Sequence, residues 1–157
     1  NAYHPSAFFN AERFMGALPA DWALIIKMHP FIKEKISIPA ALSERVFDFS
    51  DEREINDILF ITDVLVTDYS SVIFENAVIG NPAVLYAPDL KEYDGGRGFY
   101  YDYSDYSCGE VVSDFESLAP AVLRAKRGNE KLAAFRKRFV PLCDGKSCAR
   151  FVNEILK

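Results

Sequence analysis

Short apolar runs alternate with amphipathic stretches along the chain, and this alternation predicts its secondary structure. Four runs are apolar at nearly every position and are short enough to be buried strands, at residues 22–28, 46–49, 63–67 and 83–87. A fifth, shorter strand is predicted at residues 111–112. Helical spacing of apolar residues separates and follows these strands, at residues 7–18, 51–61, 70–79, 114–126, 129–139 and 146–157. Apolar strands that alternate with helices predict an α/β fold, in which helices cover both faces of a parallel sheet.

Local signals mark two helix ends, and one long stretch departs from the alternation. Asp51 with Glu54 three residues later is typical of a capping box, and Gly80 shortly before a proline is typical of a helix C-terminus.

Residues 89–114 contain five tyrosines, four glycines and seven acidic residues. Up to its last few residues this stretch has no periodicity, and it predicts a long loop of the kind that is often functional or partly mobile.

Composition narrows the class of protein. The 157 residues are 50% apolar and 14% aromatic, which suits one domain with its own core over residues 1–157. A net charge of −5 argues against a protein dedicated to nucleic acid. No apolar run approaches the roughly 20 residues of a membrane helix, and no secretory leader opens the chain. Three cysteines are too few for a disulfide framework, so a cytoplasmic location is expected.

The strongest candidate for binding chemistry lies between the third strand and the next helix. In an open α/β sheet, ligands bind beyond the carboxyl ends of strands, and free N–H groups at a helix N-terminus favour anions. Ser70 and Ser71 stand at this junction, where their hydroxyls could donate to phosphate oxygens. Glu75, one turn further on the same face, could accept hydrogen bonds from sugar hydroxyls. The alternatives are that a serine only caps the helix and that Glu75 is a solvated acid.

A second candidate follows the first strand. Pro30 forces the residue before it into an extended conformation, which fixes the chain where it leaves the sheet. His29 at this point could donate to a phosphate or transfer a proton near neutral pH. The alternative is a hydrogen-bonded structural histidine.

Other standard signals do not complete a motif. The glycines at 95, 96 and 98 have no strand before them and no helix after them, so they are not a dinucleotide fingerprint. No cysteine and histidine spacing completes a zinc site. Seven of the 18 basic residues fall between residues 124 and 138. They indicate either two solvated helix faces or a surface for an anionic lipid or polymer.

Four strings in fixed order carry a family resemblance. They are ILFITDVLVTDYSSVIF at residues 58–74, YAPDL at 86–90 with Tyr93, RGFY at 97–100, and DGKS at 144–147. In this order they resemble the CDP-glycerol glycerophosphotransferase family, whose members build poly(glycerol phosphate) or ribitol-phosphate teichoic acids. The resemblance runs from about residue 22 to the end of the chain, and its most specific part is the strand followed by Thr-Asp-Tyr-Ser-Ser.

The resemblance implies a fold and a place in a larger enzyme. Members of the family are GT-B-type transferases with two Rossmann-like domains, and the chain is similar to the C-terminal one, which binds the nucleotide donor. The donor would be CDP-glycerol, with CMP released and no cofactor or metal required. The acceptor, a lipid-linked polyol phosphate, and the catalytic base would belong to the N-terminal domain. The full protein would associate peripherally with the cytoplasmic face of the membrane, without nucleic acid.

The resemblance also implies roles for individual residues. His29 matches a catalytic histidine of the family, and positions that match donor-contacting residues are Lys27, Met28, His29, Ser70, Ser71 and Glu75. Further candidates lie within or near the matching strings, at Thr67, Asp68, Tyr69, Arg97 and Lys146. Lys27 replaces a common Arg and lacks its bidentate fork, and Glu75 replaces a common Asp. The competing hypotheses are a GT-B domain for a nucleotide sugar and a non-catalytic nucleotide-binding module.

Overall fold

The computed structural model describes residues 7–32, 34–96 and 98–156. The strands are β1 Leu24–Ile26, β2 Val46–Asp48, β3 Leu65–Thr67, β4 Ala83–Tyr86 and β5 Glu110–Val112. The helices are α1 Ala11–Gly16, α2 Ile55–Phe60, α3 Val72–Ile79, α4 Leu90–Gly96, α5 Phe115–Arg124, α6 Glu130–Phe139 and α7 Ser147–Ile155, and a 3-10 turn spans Ala40–Leu42. The predicted α/β alternation is confirmed, with shorter strands and helices than the apolar pattern indicated.

All strand pairs are parallel, as the apolar runs predicted. Hydrogen bonds join β1 to β2 and, separately, β3 to β4 and β4 to β5, so the backbone pairing forms two parallel sheets where one was expected. Both sheets contribute to one core cluster, which includes Ile26 and Val46 from the first and Val84 and Val112 from the second. The two sheets therefore share a core although their hydrogen bonding is not continuous.

Burial on both faces explains why the run that forms β4 is apolar at every position. Successive side chains of a strand point to opposite faces. Val84 packs in the cluster that contains α1 and α5 residues, whereas Ala83 and Leu85 pack in a second cluster with α3 and α6 residues. Val84 and Leu85 are both fully buried, and burial of such a side chain stabilises the fold by about 1.5–3 kcal/mol. β4 is thus covered on both faces.

Helix ends follow local chemistry in most places. Gly80 ends α3 with φ of 87°, a left-handed conformation that favours glycine. Asp114 and Asn129 cap α5 and α6 by accepting from backbone N–H groups, at the predicted starts. The predicted capping box at Asp51 is wrong, because α2 begins at Ile55 and Glu54 makes no side-chain cap bond.

Buried asparagines tie α2, α3 and β4 together. Asn81 Nδ2 donates to the carbonyl groups of Leu59 and Thr62, both at 2.8 Å, and Asn76 Nδ2 donates to the Asn81 carbonyl at 2.8 Å. Both asparagines are fully buried. Asn81 therefore holds the C-terminal end of α2 against the turn into β4.

The stretch expected to be a long loop is part of the fold. It contains α4, the strand β5 and, between them, a turn at residues 103–106. Tyr103 and Cys108 are buried in the second core cluster, and burial raises the pKa of the Cys108 thiol to about 11. At Gly109 a Cβ atom would lie 1.8 Å from the Ala83 carbonyl oxygen, so only glycine allows this close approach to β4.

α7 is an exposed helix with large apolar side chains at its surface. Its sequence is amphipathic, yet none of its residues is buried, and Phe151, Val152 and Ile155 are each at least half exposed. Among the described residues, no helix is both long and apolar enough to cross a membrane.

Candidate functional site

The two predicted segments both follow the carboxyl ends of parallel strands. Residues 27–30 leave β1, and residues 68–71 connect β3 to α3. Asp68, in the second segment, interacts electrostatically with His29, in the first. The structure therefore brings the two segments to the same side of the molecule, as expected for a ligand site in an α/β fold.

The end of β1 is held by the loop that follows β2. The Met28 N–H donates to Ser50 Oγ at 3.1 Å, and the Ser50 N–H donates to Asp48 Oδ1 at 2.9 Å. Hydrogen bonding from Ser50 lowers the pKa of the Asp48 carboxyl. These bonds fix the direction in which the chain leaves the strand.

Lys27 points toward backbone oxygens of the same loop. Its Nζ donates to the Glu52 carbonyl and, at 3.5 Å, to the Phe49 carbonyl. The ammonium group therefore holds residues 49–52 in a turn, which is the physical reason that no helix begins at Asp51. In this arrangement Lys27 joins the end of β1 to the loop after β2.

His29 is exposed and presents a defined nitrogen. Its Nδ1 accepts from the Phe31 N–H at 3.2 Å, so the neutral ring carries its proton on Nε2. The ring contacts Phe31, with centroids 5.0 Å apart. A shallow depression of about 110 Å³ lies beside it, lined by Met28, His29, Pro30 and Lys35 among others. Nε2–H is thus available to donate to a ligand.

In the β3–α3 connection, one of the two serines caps the helix and the other does not. Ser70 Oγ accepts from the Val72 N–H at 3.3 Å, so this hydroxyl does cap the first turn while its own proton remains free to be donated. Ser71 occupies the N-cap position with helical φ and ψ and makes no side-chain cap bond. Both serines and Glu75, in the first turn of α3, are exposed. A ligand can reach all three side chains.

Asp68 is a partly buried acid of the candidate site. Burial raises the pKa of its carboxyl above the usual 3.8, and the neighbouring charge of Asp89 acts in the same direction. The Tyr69 N–H and the charge of His29 oppose this increase. Asp68 lies one residue beyond Thr67, which ends β3.

A group of aromatic residues that the sequence analysis did not recognise as one cluster covers this connection. We call it the aromatic clamp, and it consists of Tyr69, Tyr93, Phe99 and Tyr103. Tyr69 stacks on Tyr93 with centroids 3.8 Å apart, and Phe99 lies within 6 Å of the other three rings. The only sequence signal for it was the density of tyrosines in residues 89–114.

The two remaining candidates are placed differently. Arg97 lies outside the described residues. Lys146 directly precedes α7, where its N–H donates to Asp144 Oδ1 at 3.0 Å and Arg150 pairs with the same carboxylate. These contacts link Lys146 to the α7 segment and not to the strand ends. Within the described ranges, no group of three or more His, Cys, Asp or Glu side chains could hold a metal ion.

Known proteins similar to the chain share one biochemistry. A sequence model of the family CDP-Glycerol:Poly(glycerophosphate) glycerophosphotransferase matches residues 1–157. The chain is 37% identical to the teichoic acid ribitol-phosphate polymerase TarL of Staphylococcus aureus, over 98% of the chain and 28% of that protein. It is 34% identical to the teichoic acid poly(ribitol-phosphate) polymerase of Bacillus spizizenii, over 99% of the chain and 25% of that protein. A glycerol-phosphate polymerase of the same organism is 32% identical, with 40% of its length covered.

Solved structures of similar fold lead to the same group of proteins. The wall teichoic acid polymerase TagF aligns with a TM-score of 0.75 and 24% identity, over 97% of the chain and 39% of that protein. A TagF variant soaked with CDPG aligns with a TM-score of 0.77. The chain thus spans about a quarter to two fifths of each of these proteins. With parallel strands that end in a serine-bearing helix terminus and a match over its whole length, the chain belongs to the CDP-glycerol:poly(glycerophosphate) glycerophosphotransferase family.

Proposed function

We propose that the chain is the donor-binding, C-terminal domain of a transferase that moves glycerol phosphate from CDP-glycerol to a growing teichoic-acid-type polymer, with release of CMP. The observation that carries this proposal is the β3–α3 connection, where two exposed serines stand at a helix N-terminus and follow Asp68, which interacts electrostatically with His29. This arrangement suits a pyrophosphate, since hydroxyl donors and the helix dipole, about half a positive charge, both favour anions. Membership of the family supplies the donor class.

In the proposed reaction, a hydroxyl of the acceptor attacks the β-phosphorus of the donor, and the bond to the bridging oxygen breaks. Negative charge grows on the CMP phosphate as it leaves. The hydroxyls of Ser70 and Ser71 donate to phosphate oxygens, and His29 donates from Nε2 to the leaving phosphate. Glu75 accepts from hydroxyl groups of the donor. These groups act by position and charge and form no covalent intermediate.

Lys27 and Met28 take a different part in the proposal. Their hydrogen bonds hold the end of β1 against the loop at residues 49–52. We therefore assign them to the placement of His29 and of the donor beside it. The proposal includes no metal and no organic cofactor.

The catalytic base and the lipid-linked polyol-phosphate acceptor are proposed to lie on a second, N-terminal domain outside this chain. The full protein is proposed to work at the cytoplasmic face of the membrane as a peripheral protein. In support, the relatives of the chain are polymerases much longer than the region they share with it. The purified chain should fold but release no CMP from CDP-glycerol with a lipid-linked acceptor present, and CMP release would contradict this division of labour.

The binding half of the proposal is tested by NMR titration of the chain with CMP and CDP-glycerol. Chemical-shift changes should cluster at residues 27–30 and 67–75. Half a cleft leaves much of the donor in water, so the Kd should be about 10⁻⁴ to 10⁻³ M. Shifts confined to the basic residues 124–138 would contradict the proposed site.

The donor class is tested with a panel of nucleotides. CDP-ribitol is the second candidate donor, because ribitol-phosphate polymerases are among the relatives with the higher identities. UDP-hexose is the donor that a GT-B glycosyltransferase would prefer. Tighter binding of UDP-hexose than of both CDP-polyols would contradict the proposed substrate class.

A further inference from the structure

The aromatic clamp makes two hydrogen bonds that reach the β3–α3 connection from residues far along the chain. The Tyr103 hydroxyl donates to the Asp68 carbonyl oxygen at 2.7 Å. The Tyr69 hydroxyl donates to Asp89 Oδ1 at 2.8 Å. Tyr103 is 7% exposed and packs in the core beside α3 and α6 residues. One bond therefore holds the backbone of the connection, and the other holds its central side chain.

The bond from Tyr103 controls more than one atom. The carbonyl of Asp68 and the N–H of Tyr69 belong to the same planar peptide unit and point in opposite directions. The Tyr69 N–H interacts with the Asp68 carboxylate. When the Tyr103 hydroxyl holds the carbonyl, it consequently also sets the direction of the N–H and the place of the buried carboxyl.

The phenols are reliable donors in this environment. Burial raises the pKa of Tyr69 and of Tyr103 far above their usual value. Both hydroxyls therefore keep their protons at neutral pH. Asp89, which follows β4, provides the carboxylate that accepts from Tyr69. Charge-assisted bonds of this kind are stronger than neutral ones.

We infer that Tyr103 and Asp89 are positioning residues, which hold residues 68–71 in the geometry that binds the donor phosphates. The inference rests on the proposed function for its ligand. It assigns a role to the tyrosine-rich residues 89–114, which the proposed site does not otherwise use. The clamp sets the direction in which the serine-bearing turn enters α3, and neither Tyr103 nor Asp89 needs to touch the donor.

A matched control exists elsewhere in the chain. Tyr86 also donates its hydroxyl to a backbone carbonyl, that of Phe8, at the same distance of 2.7 Å. It packs against the other core cluster. Tyr103→Phe and Tyr86→Phe each remove one such bond and keep the ring. A purely structural role predicts that the two variants behave alike.

The experiment compares the two variants by CMP titration and by amide hydrogen exchange without ligand. Loss of one hydrogen bond is worth about 0.5–1.5 kcal/mol, so Tyr103→Phe should weaken CMP binding about 3- to 10-fold. It should also speed exchange at residues 69–72. Tyr86→Phe should change CMP affinity less than about twofold and leave exchange at these amides unchanged. Equal effects of the two variants, or unchanged exchange and affinity in Tyr103→Phe, would overturn the inference.

A second pair of variants keeps the test decisive if Tyr103→Phe does not fold. Asp89→Asn retains an oxygen that accepts from Tyr69 and should keep most of the affinity for CMP, whereas Asp89→Leu should lose affinity and protection at residues 69–72. Equal behaviour of this pair would contradict the inference. If the wild-type chain binds neither CMP nor CDP-glycerol, the proposed function fails, and the ligand-free exchange data still decide whether the clamp holds the turn.

Discussion

The two strand ends that form the candidate site are held in opposite ways. The turn after β3 is fixed from inside, because Tyr103 binds its backbone and Tyr69 is stacked within the aromatic clamp. The segment after β1 is fixed from outside, by Ser50 and by the tether from Lys27. His29 beyond it stays exposed. The chain thus holds the serine-bearing half of the candidate site in a fixed geometry and leaves the histidine half exposed.

This difference has a consequence for chemistry. Donors that are already oriented need no reorganisation when charge develops on a ligand, and Ser70, whose oxygen accepts from the Val72 N–H, meets that requirement. His29 has one nitrogen bound to Phe31 and one nitrogen free. Its contribution in the proposed function therefore depends on the ligand that approaches this free nitrogen.

The largest effect is expected when the open half loses its histidine. In full-length protein that carries this chain, His29→Ala should lower turnover about 10²- to 10⁴-fold, because donation to the leaving phosphate acts in the transition state. The donor KM should change far less. The free energy of unfolding should differ from that of the wild type by less than about 0.5 kcal/mol, since the ring is exposed. Steady-state kinetics and melting of the same sample measure both quantities.

Phe31→Leu is the control for this variant, because it removes the ring next to His29 and keeps the N–H that binds Nδ1. Its turnover should stay near that of the wild type. Near-normal turnover in well-folded His29→Ala protein would exclude His29 from the mechanism. A lower Tm with full activity per folded molecule would show that His29 only ties down the strand end.

The next largest effect separates the two serines of the preformed half. Ser71→Ala should weaken CMP binding by about 1–2 kcal/mol with little change in stability, because this hydroxyl makes no cap bond. Ser70→Ala should weaken binding and also destabilise the fold by about 0.5–2 kcal/mol, because its oxygen caps the Val72 N–H. Calorimetric titration and chemical denaturation distinguish the two. Unchanged affinity in Ser71→Ala would remove it from the site.

A smaller effect tests whether Lys27 is a tether. Lys27→Met removes the bonds to the Phe49 and Glu52 carbonyls and should destabilise the fold by about 0.5–1.5 kcal/mol. Its effect on CDP-glycerol affinity should be smaller than that of Ser71→Ala. Lys27→Arg, which keeps the charge, is the control and should retain most of the stability. A tenfold loss of affinity in Lys27→Met at unchanged stability would show direct contact with the donor.

The last comparison concerns the sign of the change in stability with pH. It uses two aspartates whose surroundings shift the carboxyl pKa in opposite directions. Because burial raises the folded pKa of Asp68, the wild type holds a stability advantage below the unfolded pKa and loses it as pH rises through the folded pKa. The stability of Asp68→Asn relative to the wild type should therefore increase as pH rises from about 4 toward neutral. Denaturation at several pH values measures the slope.

Asp48 provides the control with the reverse slope. Hydrogen bonding from Ser50 lowers its folded pKa, so the ionised form stabilises the fold above the unfolded pKa, and this stability is lost as pH falls through the folded pKa. Asp48→Asn should therefore become less stable relative to the wild type as pH rises. Slopes of the same sign for both variants would contradict the assigned surroundings.

Periodicity predicted the alternating elements because burial on both faces of a parallel sheet demands apolar runs, and Val84 and Leu85 show that demand directly. It missed α4, whose polar sequence has no buried residue and whose Tyr93 instead packs on Tyr69. It misplaced the start of α2, because residues 49–52 are held by a hydrogen bond from Lys27 to the Glu52 carbonyl, and Lys27 lies at the distant end of β1.

Residue order along the chain was enough to place both candidate segments at strand ends, since strand ends and helix starts are local features that Ser70, Ser71 and His29 mark directly. Where Lys27 points and what fixes the Asp68 carbonyl depended on contacts between residues 20 or more positions apart. Such contacts form only when the sheets and helices pack. A pattern of neighbours along the chain carries no information about the direction of a hydrogen bond between distant segments.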